Sequence, residues 1–187
     1  STQSDPYYSF GNGSAMRVSP VGWFYSDEQS VLDQAAASAA VTHDHPEGIK
    51  GAQAIALGIC LARQGKDKKD IRERLQTAFG YDLTTGLDQI RPGYSFDVTC
   101  QGSVPQAIQA FLESTDFEDA VRNAVSLGGD SDTQACMAGS LAEAYYRKMP
   151  QDIARESLAR LDEFLRGIVY AFYASIIPNQ ELPHISP

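Results

Sequence analysis

From Ser26 onward, apolar positions recur at intervals of three and four between glycine- and proline-bearing breaks, and that rhythm predicts a succession of helices. Ser26 reads as an N-cap with Gln29 as its capping-box partner, and the alanine-rich stretch behind it should stay helical to about Thr42. His43-Asp44-His45-Pro46 interrupts the pattern. Pro46 suits the first position of the next helix, expected over Glu47 to Arg63. Gly51, Ala52, Ala54, Ala56 and Gly58 put small residues on successive turns of that helix, which lets neighbouring helices approach closely. A third helix, Lys66 to Phe79, is charged on one face and carries Ile71, Leu75 and Phe79 on the other, so it is expected at the periphery. A fourth is expected at about Pro105 to Leu112, and a fifth from the Thr115-Asp116-Phe117-Glu118 capping box to the Gly128-Gly129 pair. The sixth should run from that pair to about Arg147. A seventh, about Gln151 to Ile176, has Leu158, Leu161, Leu165, Ile168 and Phe172 as its buried stripe. Ser1 to Tyr25 and Tyr81 to Gly102 read as irregular, and the second is long enough for an ordered functional loop. No sustained alternation or two-residue hairpin signal appears, so the fold class is all-α.

Composition changes the picture only by exclusion. The 187 residues suffice for one domain with a substantial core. A net charge of -9 argues against non-specific binding to nucleic acid or to an anionic membrane. The most apolar segment, Gly167 to Ile177, is too short for a membrane span, and no secretory leader is expected. Cys60, Cys100 and Cys136 are far apart, odd in number and without finger spacing, which points to reduced thiols and a cytoplasmic location.

Three short segments offer chemistry. Asp130-Ser131-Asp132-Thr133 places hard oxygen donors at the entry to a helix, where they suit either Mg²⁺ or, more plainly, capping of the positive helix end. Gly11-Asn12-Gly13-Ser14 is a turn whose backbone N–H groups could crowd an anion, with Arg17 adding charge. Thr42-His43-Asp44-His45 offers His43 as a donor to a phosphate oxygen. Alternatively, His43 is simply an imidazole near a helix C-terminus, where protonation is favoured. Two histidines at H-x-H spacing are a weak metal signal.

In order, GNGSAMRVSPVG, THDHPEGIKGAQA and TDFEDAVRNAVSLGGDSDTQACMAGSLAEAYY resemble the ADP-ribosylglycohydrolase family, over roughly Phe10 to Tyr146. The resemblance implies a single-domain orthogonal helical fold over 1–187 and a binuclear Mg²⁺ site. The implied reaction is hydrolysis of the glycosidic bond between ADP-ribose and an acceptor. Asp130, Asp132 and Thr133 match the family's C-terminal metal ligands. Asn12, Gly13 and Ser14 match the loop that holds the diphosphate and ribose, and His43 the position that approaches the diphosphate.

One departure shapes the expectation. The family's G-D-x-x-G-x-x-x-E and T-D-D-T segments, which supply the other half of the metal site and a catalytic acid, are not found here, and the catalytic residue stays unassigned. Asp5, Asp44, Glu47 and Asp97 match no replacing motif. The chain is therefore expected to be the C-terminal two-thirds of the family fold, N-terminally truncated, with at most a partial Mg²⁺ site. Helices left uncovered would leave apolar area wet at about 25 cal/mol per Å², so a homo-oligomer or a separate N-terminal segment is the expected partner. Three functions follow as alternatives: a hydrolase, a non-catalytic reader of ADP-ribose or a partner, or one piece of a split enzyme. The motifs leave the acceptor open.

Overall fold

The structure is a computed structural model that describes residues 7–176 and Leu182. In chain order the helices are α1 (Gly13–Met16), α2 (Ser19–Phe24), α3 (Glu28–Ala40), α4 (Pro46–Arg63), α5 (Lys68–Phe79) and α6 (Leu87–Ile90). After a 3₁₀ turn at Arg91–Gly93 come α7 (Cys100–Glu113), α8 (Phe117–Ser126), α9 (Ser131–Tyr146), α10 (Gln151–Ala159) and α11 (Glu163–Ile176). Among the described residues there is no strand, and Gly11 and Thr99 form an isolated antiparallel bridge. The all-α expectation is met.

The chain divides into two compact units, Ser1–Arg147 and Lys148–Pro187. In the first, α4 is the central rod and packs against α1, α2, α3, α5, α7 and α9. Every residue from Ala54 to Ala62 on it is buried, which explains why it lacks a polar stripe. Its small residues do what the sequence implies: a Cβ added at Gly51 would sit 2.5 Å from Cys100 Sγ, so α7 crosses α4 where α4 has no side chain. Ile55, Leu57, Ile59, Ile108, Phe111, Met137 and Leu141 fill the core around that rod. Helix α5 buries Ile71 and Leu75 as expected, with Phe79 only half-buried. Among the described residues no helix is long and apolar enough to cross a membrane.

Several boundaries differ from the sequence expectation, each for a local reason. Asp27, not Ser26, caps α3 by accepting from Ser30 N at 2.8 Å, while Gln29 donates to Asp33 instead of reaching back. Asp116 caps α8 through Asp119 N, and Asp119 accepts from Thr115 N, so the capping pair is shifted by one residue from Thr115 and Glu118. Helix α7 begins at Cys100, five residues before Pro105, because Thr99 caps it by accepting from Gly102 N at 3.0 Å. The stretch before Tyr25 carries α1 and α2, and Asp5 lies outside the described residues.

The second unit corrects the expected long seventh helix. It is two helices, α10 and α11, because Asp162 restarts the chain by accepting from Leu165 N at 2.8 Å. Leu158 is buried as expected, but Leu165 and Ile168 are exposed.

Candidate active site

All seven sequence candidates lie in the first unit. Asp130, Asp132 and Thr133 stand at the start of α9, after Gly128 and Gly129, whose φ values of +75° and +70° only glycine adopts without strain. Gly129 has a second reason to lack a side chain, since a Cβ there would meet Tyr94 Cε1 at 3.0 Å and Ser95 O at 3.1 Å. The double glycine thus turns the chain sharply under the 94–99 loop and delivers the aspartates to α9.

Asp130 occupies the N-cap position of α9 but makes no side-chain cap bond. Its carboxylate Oδ2 instead accepts from Asn12 Nδ2 at 2.7 Å. The capping explanation therefore fails for Asp130. Asp132 is exposed in the first turn, its Oδ1 2.9 Å from Thr133 N. The buried Thr133 hydroxyl meets only the soft Met16 Sδ, at 3.6 Å, among the contacts described.

Helix α1 carries the glycine-flanked loop. Asn12 is buried, with its backbone N donating to Val98 O at 2.8 Å and its side chain to Asp130 and to Ser103 Oγ. The Ser14 hydroxyl is buried too and donates to Gly48 O at 2.8 Å, which fastens the loop to α4. Cys100 lies beneath it, its Sγ 3.1 Å from Gly11 O, and burial pushes that thiol up to about 11. Gly13 faces His43: a Cβ on Gly13 would lie 3.3 Å from His43 Nε2.

His43 follows α3. Burial first, and the Arg17 guanidinium second, hold its pKa below the ordinary value, opposite to what a helix C-terminus alone would do. Arg17 does not face the loop as the sequence suggested; it donates to Ser38 O at 3.0 Å and Thr42 Oγ1 at 2.8 Å. Thr42 Oγ1 is in turn 2.6 Å from His43 Nδ1. A hydroxyl that accepts from Arg17 has its own proton free for Nδ1, which supports a neutral ring with Nε2–H directed at the loop. His45 serves otherwise: its Nδ1 caps α4 by accepting from Glu47 N at 3.0 Å, and its ring packs edge-on to Tyr8 and Phe10.

The irregular Tyr81 to Gly102 stretch was expected as a functional loop, but Tyr94 within it was not singled out. Tyr94 OH donates to Gly102 O at 2.9 Å and accepts from Gln134 Nε2 at 3.0 Å; burial, with Asp97 and Asp130 nearby, pushes it up to about 12. Its only signal was the length of the irregular stretch. Of the other acidic candidates, Asp44 accepts from Tyr8 N and Asp97 from Thr99 N, while Glu47 lies 3.6 Å from Lys50 Nζ with its buried Oε2 accepting no hydrogen bond among the described residues. Among the described residues no three His, Cys, Asp or Glu side chains gather as a metal-holding group. The start of α9 carries two carboxylates and a hydroxyl, the donor types that a hard divalent cation takes.

The family model for ADP-ribosylglycohydrolase matches residues 1–180. The chain belongs to the ADP-ribosylglycohydrolase family. It is 31% identical to the human ADP-ribosylhydrolase ARH3, over 74% of this chain and 50% of that protein. Similarity to the ADP-ribosylarginine hydrolase Tri1 of Pseudomonas putida, 31% identical, covers 73% of this chain and 38% of that one. A solved structure described as an ADP-ribosylglycohydrolase-related protein complex superposes with a TM-score of 0.68 at 29% identity, over 90% of this chain and 60% of that chain. The chain spans about half the length of the curated ARH3 relatives it matches. The ADP-ribosylglycohydrolase fold is thus shown, and within it the Gly11–Ser14 loop lies against both His43 and the start of α9.

Proposed function

We propose that this ADP-ribosylglycohydrolase-family chain binds ADP-ribose at the junction of α1, α3 and α9 and takes part in Mg²⁺-dependent hydrolysis of its glycosidic bond to an acceptor. The observation that carries this reading is convergence. Asn12 of the loop contacts Asp130 of the α9 motif, and Gly13 of the same loop faces His43.

In this reading the backbone of Gly13 and Ser14 receives the diphosphate, and neutral His43 donates Nε2–H to one of its oxygens. The Ser14 hydroxyl is committed to Gly48 O, so that side chain holds the loop in place. Asp130, Asp132 and Thr133 would hold Mg²⁺, which when bound would orient the ribose hydroxyls and supply an activated water. A second reading, an ADP-ribose reader without turnover, is favoured by the local contacts of Asp44, Glu47 and Asp97, since among the described residues no third carboxylate is grouped with the pair at α9.

Turnover separates the two. With ADP-ribosyl-arginine and ADP-ribosyl-serine peptides, release of ADP-ribose from at least one should require Mg²⁺ and fall by about 100-fold or more in Asp132→Ala. Release that ignores both Mg²⁺ and Asp132→Ala contradicts the proposal. ADP-ribose binding without release supports the reader.

A further inference from the structure

We infer that Asn12 is a positioning residue for the metal carboxylate Asp130, and that its side chain does not contact substrate. The inference rests on the metal reading proposed above. Both amide protons of Asn12 are placed: one goes to Asp130 Oδ2 at 2.7 Å, the other to Ser103 Oγ at 3.2 Å. Ser103 Oγ gives its own proton to Thr99 O at 2.6 Å, so toward Asn12 it is an acceptor. Asp130, as a carboxylate, can only accept. Two acceptors on one side fix the orientation of the amide, with nitrogen toward α9 and α7.

The need for such a partner is visible in Asp130 itself. It sits at φ -79° and ψ 62°, outside the helix, after two left-handed glycines, and its side chain makes no cap bond to α9. The described bond that aims its carboxylate comes from a residue 118 positions away. Metal-ligating carboxylates are commonly oriented by such outer partners, whose loss weakens metal binding. Asn12 is also tied to the 94–99 loop through its backbone N and Val98 O. Loop and metal site are therefore one connected unit: filling the loop and filling the metal site act on the same side chain, and any coupling between them is reciprocal.

Mn²⁺, counted free by electron paramagnetic resonance, serves as the metal probe on the full 187-residue chain. Asn12→Ala should weaken Mn²⁺ binding by about 10–100-fold, in keeping with the loss of an outer partner to a metal ligand. Ser103→Ala, which leaves both Asn12 and Asp130 in place, should weaken it by a smaller factor in the same direction. Metal-free ADP-ribose affinity should remain that of the unaltered chain in Ser103→Ala, and in Asn12→Ala it should fall by a smaller factor than Mn²⁺ affinity does. Loss of metal-free ADP-ribose binding with Mn²⁺ affinity unchanged makes Asn12 a substrate contact and overturns the inference, as does unchanged Mn²⁺ affinity in both variants. If Asn12→Ala fails to fold, Ser103→Ala decides alone. An unaltered chain that binds no Mn²⁺ overturns the metal reading and this inference with it, whereas Mn²⁺ binding that tolerates both substitutions overturns this inference only.

Discussion

At the scale of single residues, His43 shows how surroundings set a side chain's role. Its pKa is depressed by burial and by Arg17, so protonation is harder in the folded chain than in the unfolded one. The stability this contributes is present above the ordinary value of 6.5 and is lost as pH falls through the depressed folded value. Thermal unfolding between pH 7.5 and 5 should therefore drop more steeply for the unaltered chain than for His43→Gln, whose side chain does not titrate; equal slopes would contradict the assignment. The candidates themselves were legible in the sequence because each stood in a short, ordered motif. Their division of labour was not. That the side chains of Asn12 and Ser14 turn inward to Asp130 and Gly48 depends on residues more than thirty positions distant, which no local pattern encodes.

At the scale of elements, the helices α3, α4, α5, α8 and α9 followed from periodicity and breaks, with ends wrong by a residue or two. Two of those errors share a cause: Asp27 and Asp116 cap where the adjacent Ser26 and Thr115 looked as good, and only the backbone geometry of the preceding loop selects among them. The division of α10 from α11 was missed because a continuous apolar pattern outweighed the aspartate at 162 that restarts the helix. Close packing at α4 was legible from its small residues, and it makes a direct prediction. Gly51→Ala places a methyl 2.5 Å from Cys100 Sγ and 2.9 Å from its Cβ, so α7 must shift. Overpacking of this kind costs about 1–3 kcal/mol, read as a lowered chemical-denaturation midpoint; a midpoint at or above that of the unaltered chain would contradict the crossing.

For the molecule as a whole, the three-motif order carried the family assignment, and the structure adds how the motifs meet in the first unit. The central rod α4 begins beside His43 and runs beneath the Ser14 loop through Gly48, so the same helix that organises the core positions both segments proposed to bind ADP-ribose. In a protein of net charge -9 an anionic nucleotide needs local donors held by a rigid framework, since the overall charge gives no general attraction for phosphate. The most direct measurement is calorimetric titration of ADP-ribose into this chain with and without Mg²⁺. If the Gly11–Ser14 loop, His43 and the α9 motif are one site, Mg²⁺ should tighten ADP-ribose binding by about tenfold or more. No binding of ADP-ribose, or binding indifferent to Mg²⁺, would contradict it.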